Sequence, residues 1–428
     1  MSVSIEIIFA VMVVSYIIAK SLKISTELSM FIGAIAGGLV GGVGIPARHI
    51  AEGAFTYLDI ILIFVTATFF MNLLKESGGV AYVVRGIIQK FSQKKSILFV
   101  LITFLLLLPG ALTGAGSVTV LITGGMIAVV LGYMGLSKPK TAAIIFIIAG
   151  LSAAAPPVSL WAMLTAAGVN MPYVGFFLPL LIPCVVLSLL TIFILGWRGK
   201  PVDLEKALQE LPEAPPQMNW IRVFLPFLVF FVLVLAGRIW PHSLPVIGLP
   251  MMFVAAAIVS YFLSPVKLNI FHTARDTVHQ LLPLIGTLTC VGILVQIMTL
   301  TGVRGLIAIT VVTLPIMIVF YSLFLVLPVS EAVLMWGAAP VLGVPLVLLF
   351  NTIGLNPIVA LAGMSVIWPL GDALPPTAII GRLTKDTVGM EEPYGLMLKH
   401  SLIPAILIMI AGTLMVIFSK ELSFLTLL

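Results

Sequence analysis

Leu108-Pro109-Gly110-Ala111-Leu112-Thr113-Gly114-Ala115-Gly116-Ser117-Val118-Thr119 decides how this chain folds. It interrupts an apolar run, 96–134, that is too long for one crossing, since ~20 helical residues span a bilayer core. Proline removes a ladder hydrogen bond and glycine loosens the backbone, so the run reads as two helical arms joined at a tip. Such a hairpin enters the membrane and leaves on the side it came from. A second over-long run, 305–349, is interrupted around Pro328-Val329-Ser330. Two further runs, 141–168 and 356–380, carry Pro156-Pro157 and Pro375-Pro376 and read as broken spans.

The rest of the chain fits a membrane solvent. Of 428 residues, 61% are hydrophobic and 9% charged, against roughly 25% charged in soluble domains. The apolar runs lack the two-residue alternation of a closed barrel, so the spans are helices, whose backbone groups are satisfied internally. The net charge of +6 comes from short basic loops, which points to topology rather than to nucleic acid. Cys184 and Cys290 lie in apolar runs and read as packing residues. The stretch 1–19 has no basic residues before its apolar run, so it reads as a first span and not as a signal peptide. His49, His242, His272, His279 and His400 fall in loops or near interfaces with no metal-binding spacing, and no nucleophile motif has its partners. A membrane-embedded enzyme is therefore disfavoured.

Shifting the chain by 219 residues lays Leu108-Pro109 on Leu327-Pro328, Gly124 on Gly343, Gly135-Leu136 on Gly354-Leu355, and Pro156-Pro157 on Pro375-Pro376. The expectation is an all-α polytopic protein made of an inverted repeat, with about five transmembrane helices, one re-entrant hairpin and one broken helix per half. The first repeat covers 1–198, a cytoplasmic linker 199–219, and the second repeat 220–428. With both termini outside, the basic residues fall mostly inside, leaving only Arg48, Arg238, Arg304 and Lys420 outside.

Inverted repeats with interrupted helices point to a transport site near the bilayer midplane. Helix stubs expose N–H groups to anions and carbonyls to cations. At the first tip, Thr113, Gly114, Gly116, Ser117 and Thr119 suit sodium coordination and N–H contacts to an anionic substrate; they also suit a tight interhelical turn. Pro156, Pro157 and Ser159, and Pro375, Pro376 and Thr377, pair each break with a hydroxyl; a structural kink is the alternative. Ser330 and Glu331 follow the second interruption, and Asp372 precedes the second Pro-Pro. Carboxylates at membrane depth are expensive and usually functional, so Glu331 and Asp372 read as cation-coupling groups, with sodium preferred over a proton and helix capping as the alternative. Ser117, Glu331 and Asp372 form the expected sodium set, and no other cofactor is expected. No Lys or Arg lies mid-membrane near the breaks, so an anionic substrate would need obligatory cation coupling.

The tip 112–119, Ile148-Ala149-Gly150 through Pro156-Pro157-Val158-Ser159, Ser330-Glu331-Ala332 with Pro340 and Pro345, and Gly354-Leu355 with Pro375-Pro376 together resemble the large membrane subunit of TRAP transporters, within the ion-transporter superfamily. The resemblance implies sodium-coupled uptake of a small organic anion such as a carboxylate across a bacterial or archaeal inner membrane. It also implies a periplasmic substrate-binding protein, a small four-helix membrane subunit, and an elevator motion of hairpins against a scaffold. The alternative is a stand-alone ion-coupled carboxylate symporter or antiporter of the same superfamily.

Overall fold

A computed structural model describes residues 3–240 and 247–427, so His242 lies outside the described residues. Among the described residues every regular element is helical. Helices α1 (Ile5–Ser21) and α2 (Thr26–Val40) pack as a pair; α3 (Ala47–Phe55) leads into α4 (Leu58–Glu76) and α5 (Gly79–Phe91). The first hairpin is α6 (Lys95–Thr113), then α7 (Gly116–Thr119), a π-helical turn Val120–Gly124 and α8 (Gly125–Tyr133). The first broken span is α9 (Lys138–Ala154) and α10 (Leu160–Gly168), followed by α11 (Phe177–Gly196). A short α12 (Leu204–Glu210) interrupts the linker, capped by the Asp203 carboxylate accepting from Lys206 N–H.

The second half repeats this series. It contains α13 (Trp220–Ile239), α14 (Leu249–Leu263), a 31-residue α15 (Ile270–Leu300) and α16 (Val303–Thr313). The second hairpin is α17 (Ile316–Leu334), a 3-10 turn Met335–Gly337, a π-helical turn Ala339–Gly343 and α18 (Val344–Thr352). The second broken span is α19 (Pro357–Ile367), a 3-10 segment Trp368–Ala373 and α20 (Ile379–Val388); α21 (Tyr394–Ile417) follows. The two π turns stand 219 residues apart, as do the cis peptides Pro156-Pro157 and Pro375-Pro376. Gly78 and Gly302, both with positive φ, open α5 and α16.

Among the described residues, eight helices are long and apolar enough to cross a bilayer, and the protein is a multi-pass membrane protein. Val186, Leu190 and Ile194 of α11 remain exposed, as lipid-facing side chains do. The centre of the molecule is α9, buried on every face from Thr141 to Ala154; a helix apolar all round belongs in such a place.

Both ends of the first hairpin reach one loop. At its start, Lys95 Nζ donates to the carbonyls of Trp197 (2.7 Å) and Gly199 (3.1 Å). At its end, the Lys200 N–H donates to the Met134 carbonyl at 2.8 Å. In the second hairpin, the returning arm α18 packs on α16, the helix that leads in.

Three boundaries differ from the sequence reading. The second interruption falls at Met335, with φ 53°, and not at Pro328-Val329-Ser330, because Pro328 is carried inside α17. Pro109 likewise sits inside α6, which ends at Gly114 in a left-handed conformation. Neighbouring segments re-satisfy the backbone groups a transmembrane proline frees, so proline here kinks rather than breaks. The second hairpin runs 316–352 rather than 305–349, since α16 is a separate helix closed off before Pro315. The second broken span runs 357–388 rather than 356–380. Its outer segment α20 carries Arg382, Lys385 and Asp386, and charge hid it from an apolarity scan.

Candidate functional site

The first tip is held by close backbone approach. A side chain on Gly114 would run into Phe64, and one on Gly116 would meet the Ala149 carbonyl at 2.6 Å and Ile380 at 2.8 Å. Thr113 donates back to the Pro109 carbonyl at 2.7 Å. Thr119 and Ser152 share a 2.9 Å hydrogen bond, and Ser152 also donates to the Ala149 carbonyl at 2.6 Å. These contacts seat the tip on α9. Ser117 is half-buried, and no hydrogen bond among the described residues joins it to Glu331 or Asp372.

At the first break, Val158 N–H donates to the Ala111 carbonyl at 3.0 Å, tying Pro156-Pro157 to α6. Ser159 precedes α10, but its buried hydroxyl has no partner. The second break packs on α17. Thr377 donates to the Ala332 carbonyl at 2.9 Å, and Tyr394 donates to the Ala373 carbonyl at 2.7 Å. Ser330 donates to its own helix at the Leu327 carbonyl, 2.7 Å.

The two breaks meet across the halves. A side chain on Gly150 of α9 would lie 2.9 Å from Pro369. Helix α10 packs on the returning arm of the second hairpin, and α20 on that of the first. Each break is thus tied to the hairpin of its own half, while the helix that follows it packs on the returning arm of the other half's hairpin.

Glu331 and Asp372 are brought together. They are 0% and 1% exposed, and a side chain on Gly371 would lie 2.6 Å from Glu331 Cβ. None of their four carboxylate oxygens has a hydrogen-bond partner. The ion pairs among the described residues, Arg48–Glu52, Lys206–Asp203 and His272–Asp276, all lie elsewhere. Two buried, unpaired carboxylates side by side are stable together only with a positive charge or a proton between them. The arrangement is chemically suited to take up a proton or a bare monovalent cation. Both side chains are sealed from solvent in this conformation.

Sequence reading missed Trp161, Ser152 and Tyr394. Trp161 is fully buried, its indole N–H is unpartnered, and it lies beside Glu331 short of hydrogen-bond geometry. The available signal was a tryptophan two residues after Ser159 in a segment remote from the bilayer interface, where tryptophan is usually enriched.

No protein-family model matches the chain, and no curated protein matches it by sequence. Its fold is similar to two solved transporters. One is the YdaH transporter of Alcanivorax borkumensis, described as having an unusual topology: TM-score 0.61, 13% identity, 87% of this chain and 88% of that one. The other is MtrF of Neisseria gonorrhoeae, described as illuminating a class of antimetabolite efflux pumps: TM-score 0.62, 14% identity, 87% and 83% covered. The likeness is one of fold. Neither structure is a TRAP large subunit, so the comparisons do not show that family.

Proposed function

We propose that the protein is a cation-coupled secondary transporter of a small organic anion, with the Glu331–Asp372 pair as the coupling-cation site. The observation that carries the reading is the burial of two adjacent carboxylates with neither hydrogen bond nor counter-charge. Membrane-depth acids are retained where they move ions or protons. Sodium is the first candidate ion and a proton the second. Ser117 is left out of the pair's immediate set, and the first tip with Ser159 is assigned to the substrate side, where small residues and free helix ends suit an anion. The two halves act as an inverted repeat in an inner membrane, a reading supported by the recurrence of hairpins, π turns and Pro-Pro breaks at one spacing.

Likeness of fold to YdaH and MtrF across most of the chain supports a transporter, and the class named for MtrF adds export to the directions to be tested. The TRAP-type reading, with a binding protein and a small membrane subunit, is carried by the motif resemblance. Purified chain in proteoliposomes separates the two: flux of a labelled carboxylate without added proteins supports the lone carrier.

The coupling test imposes sodium and proton gradients in turn on those vesicles, using a panel of labelled carboxylates. One gradient should drive flux. Glu331→Gln and Asp372→Asn should each lower driven flux about 10-fold or more, the scale of losing a charged ligand. Flux that ignores both gradients, or persists unchanged in both variants, overturns the assignment.

A further inference from the structure

Helix α10 lays one face along the second hairpin. A side chain on Gly168 would meet Val344 at 2.5 Å, and Thr165 donates to the Ala339 carbonyl at 3.2 Å and crowds Gly343. Trp161 is one turn before Thr165 on the same face, because residues four apart share a helix surface. That position brings it beside Glu331, and both its N–H and the carboxylate lack partners.

A buried indole N–H without an acceptor is costly, as is a buried carboxylate without a donor. The two unmet groups are complementary, adjacent, and come from different halves of the chain. A carboxylate carrying full charge attracts the donor strongly, and one neutralised by a cation attracts it less.

We propose that Trp161 is a positioning residue that reads the charge of Glu331: its N–H closes on the carboxylate when the coupling cation leaves and relaxes when the cation binds. This rests on the cation site proposed above. It makes α10 and the second hairpin the route by which cation occupancy in one half is felt at the first break, where Ser159 lies two residues away. Because the donor stabilises the empty site, it competes with the cation.

The test uses the full chain in lipid nanodiscs with three forms: parent, Trp161→Phe, which removes the N–H, and Trp161→His, which restores a ring donor. Sodium binding and, separately, proton uptake are titrated, and the indole N–H vibrational band is followed by subtracting the Trp161→Phe spectrum. The expected result is a band in the parent that shifts on cation binding. Trp161→Phe should bind the cation about 3- to 10-fold more tightly, the scale of one hydrogen bond to a charged group. Trp161→His should return toward the parent value. Parent-like cation affinity in Trp161→Phe, or an indole band that cation binding leaves in place, overturns this inference while the cation site stands. A parent that takes up neither sodium nor protons overturns the proposed coupling site instead.

Discussion

Ser152 shows how single residues hold this site. It donates to the Ala149 carbonyl and accepts from Thr119, so a loop tip is pinned to the buried centre of α9 by one hydroxyl. Replacing it by alanine leaves the Thr119 hydroxyl, 0% exposed, without that acceptor. Ser152→Ala should lower stability by about 1–2 kcal/mol, seen as a lower unfolding midpoint in detergent. Adding Thr119→Val should recover part of the loss, since removing both partners removes the unmet group. Equal midpoints for the parent and Ser152→Ala would show that the bond contributes nothing. The residues proposed to carry chemistry differ in how they show in the sequence. Glu331 and Asp372 stand out because acids are rare in apolar runs. Trp161 does not stand out, because an aromatic residue in an apolar run reads as packing until the partner facing it is known.

At the level of elements, helices approach where glycine allows it. On α19 and α21, Gly363 and Gly412 face each other: a side chain on either would lie 2.6 Å or 2.5 Å from the other's carbonyl oxygen. This crossing fixes the second broken span to the last helix, and small residues are the usual means of helix association in lipid. Gly412→Leu should force the pair apart and destabilise by about 1–3 kcal/mol, read as a lower midpoint of thermal unfolding. An unchanged midpoint would mean the crossing does not hold the broken span. Helices α3 and α15 meet in the same way, a side chain on Gly292 running into the Gly53 carbonyl. That helices are interrupted within these four runs was legible from proline and glycine, which weaken the helix ladder locally. Their edges were not. Pro109 and Pro328 stay inside helices, Met335 takes the turn, and charged α20 lies beyond the apolar run.

For the whole molecule, the decisive property is on which side each hairpin begins and ends. The first hairpin's two ends both hydrogen-bond the loop after α11. In a background with Cys184 and Cys290 replaced by alanine, Gln93→Cys and Ser137→Cys flank that hairpin at exposed positions. A membrane-impermeant maleimide should label both from the same face of sealed vesicles. Labelling from opposite faces would make α6 to α8 an odd number of crossings and remove the re-entrant reading.

What the amino-acid sequence determined by itself was the solvent, the helical class, and the runs in which helices are interrupted, though not the residue at which each interruption falls. Each follows from local chemistry: apolar length against bilayer thickness, and proline and glycine within a run. The tertiary structure alone decided which interruption meets which hairpin, that Glu331 and Asp372 are buried side by side, and that Trp161 stands beside Glu331. Those are contacts between residues far apart in the chain. No periodicity records them, because they arise from how two halves pack rather than from what either half prefers to be.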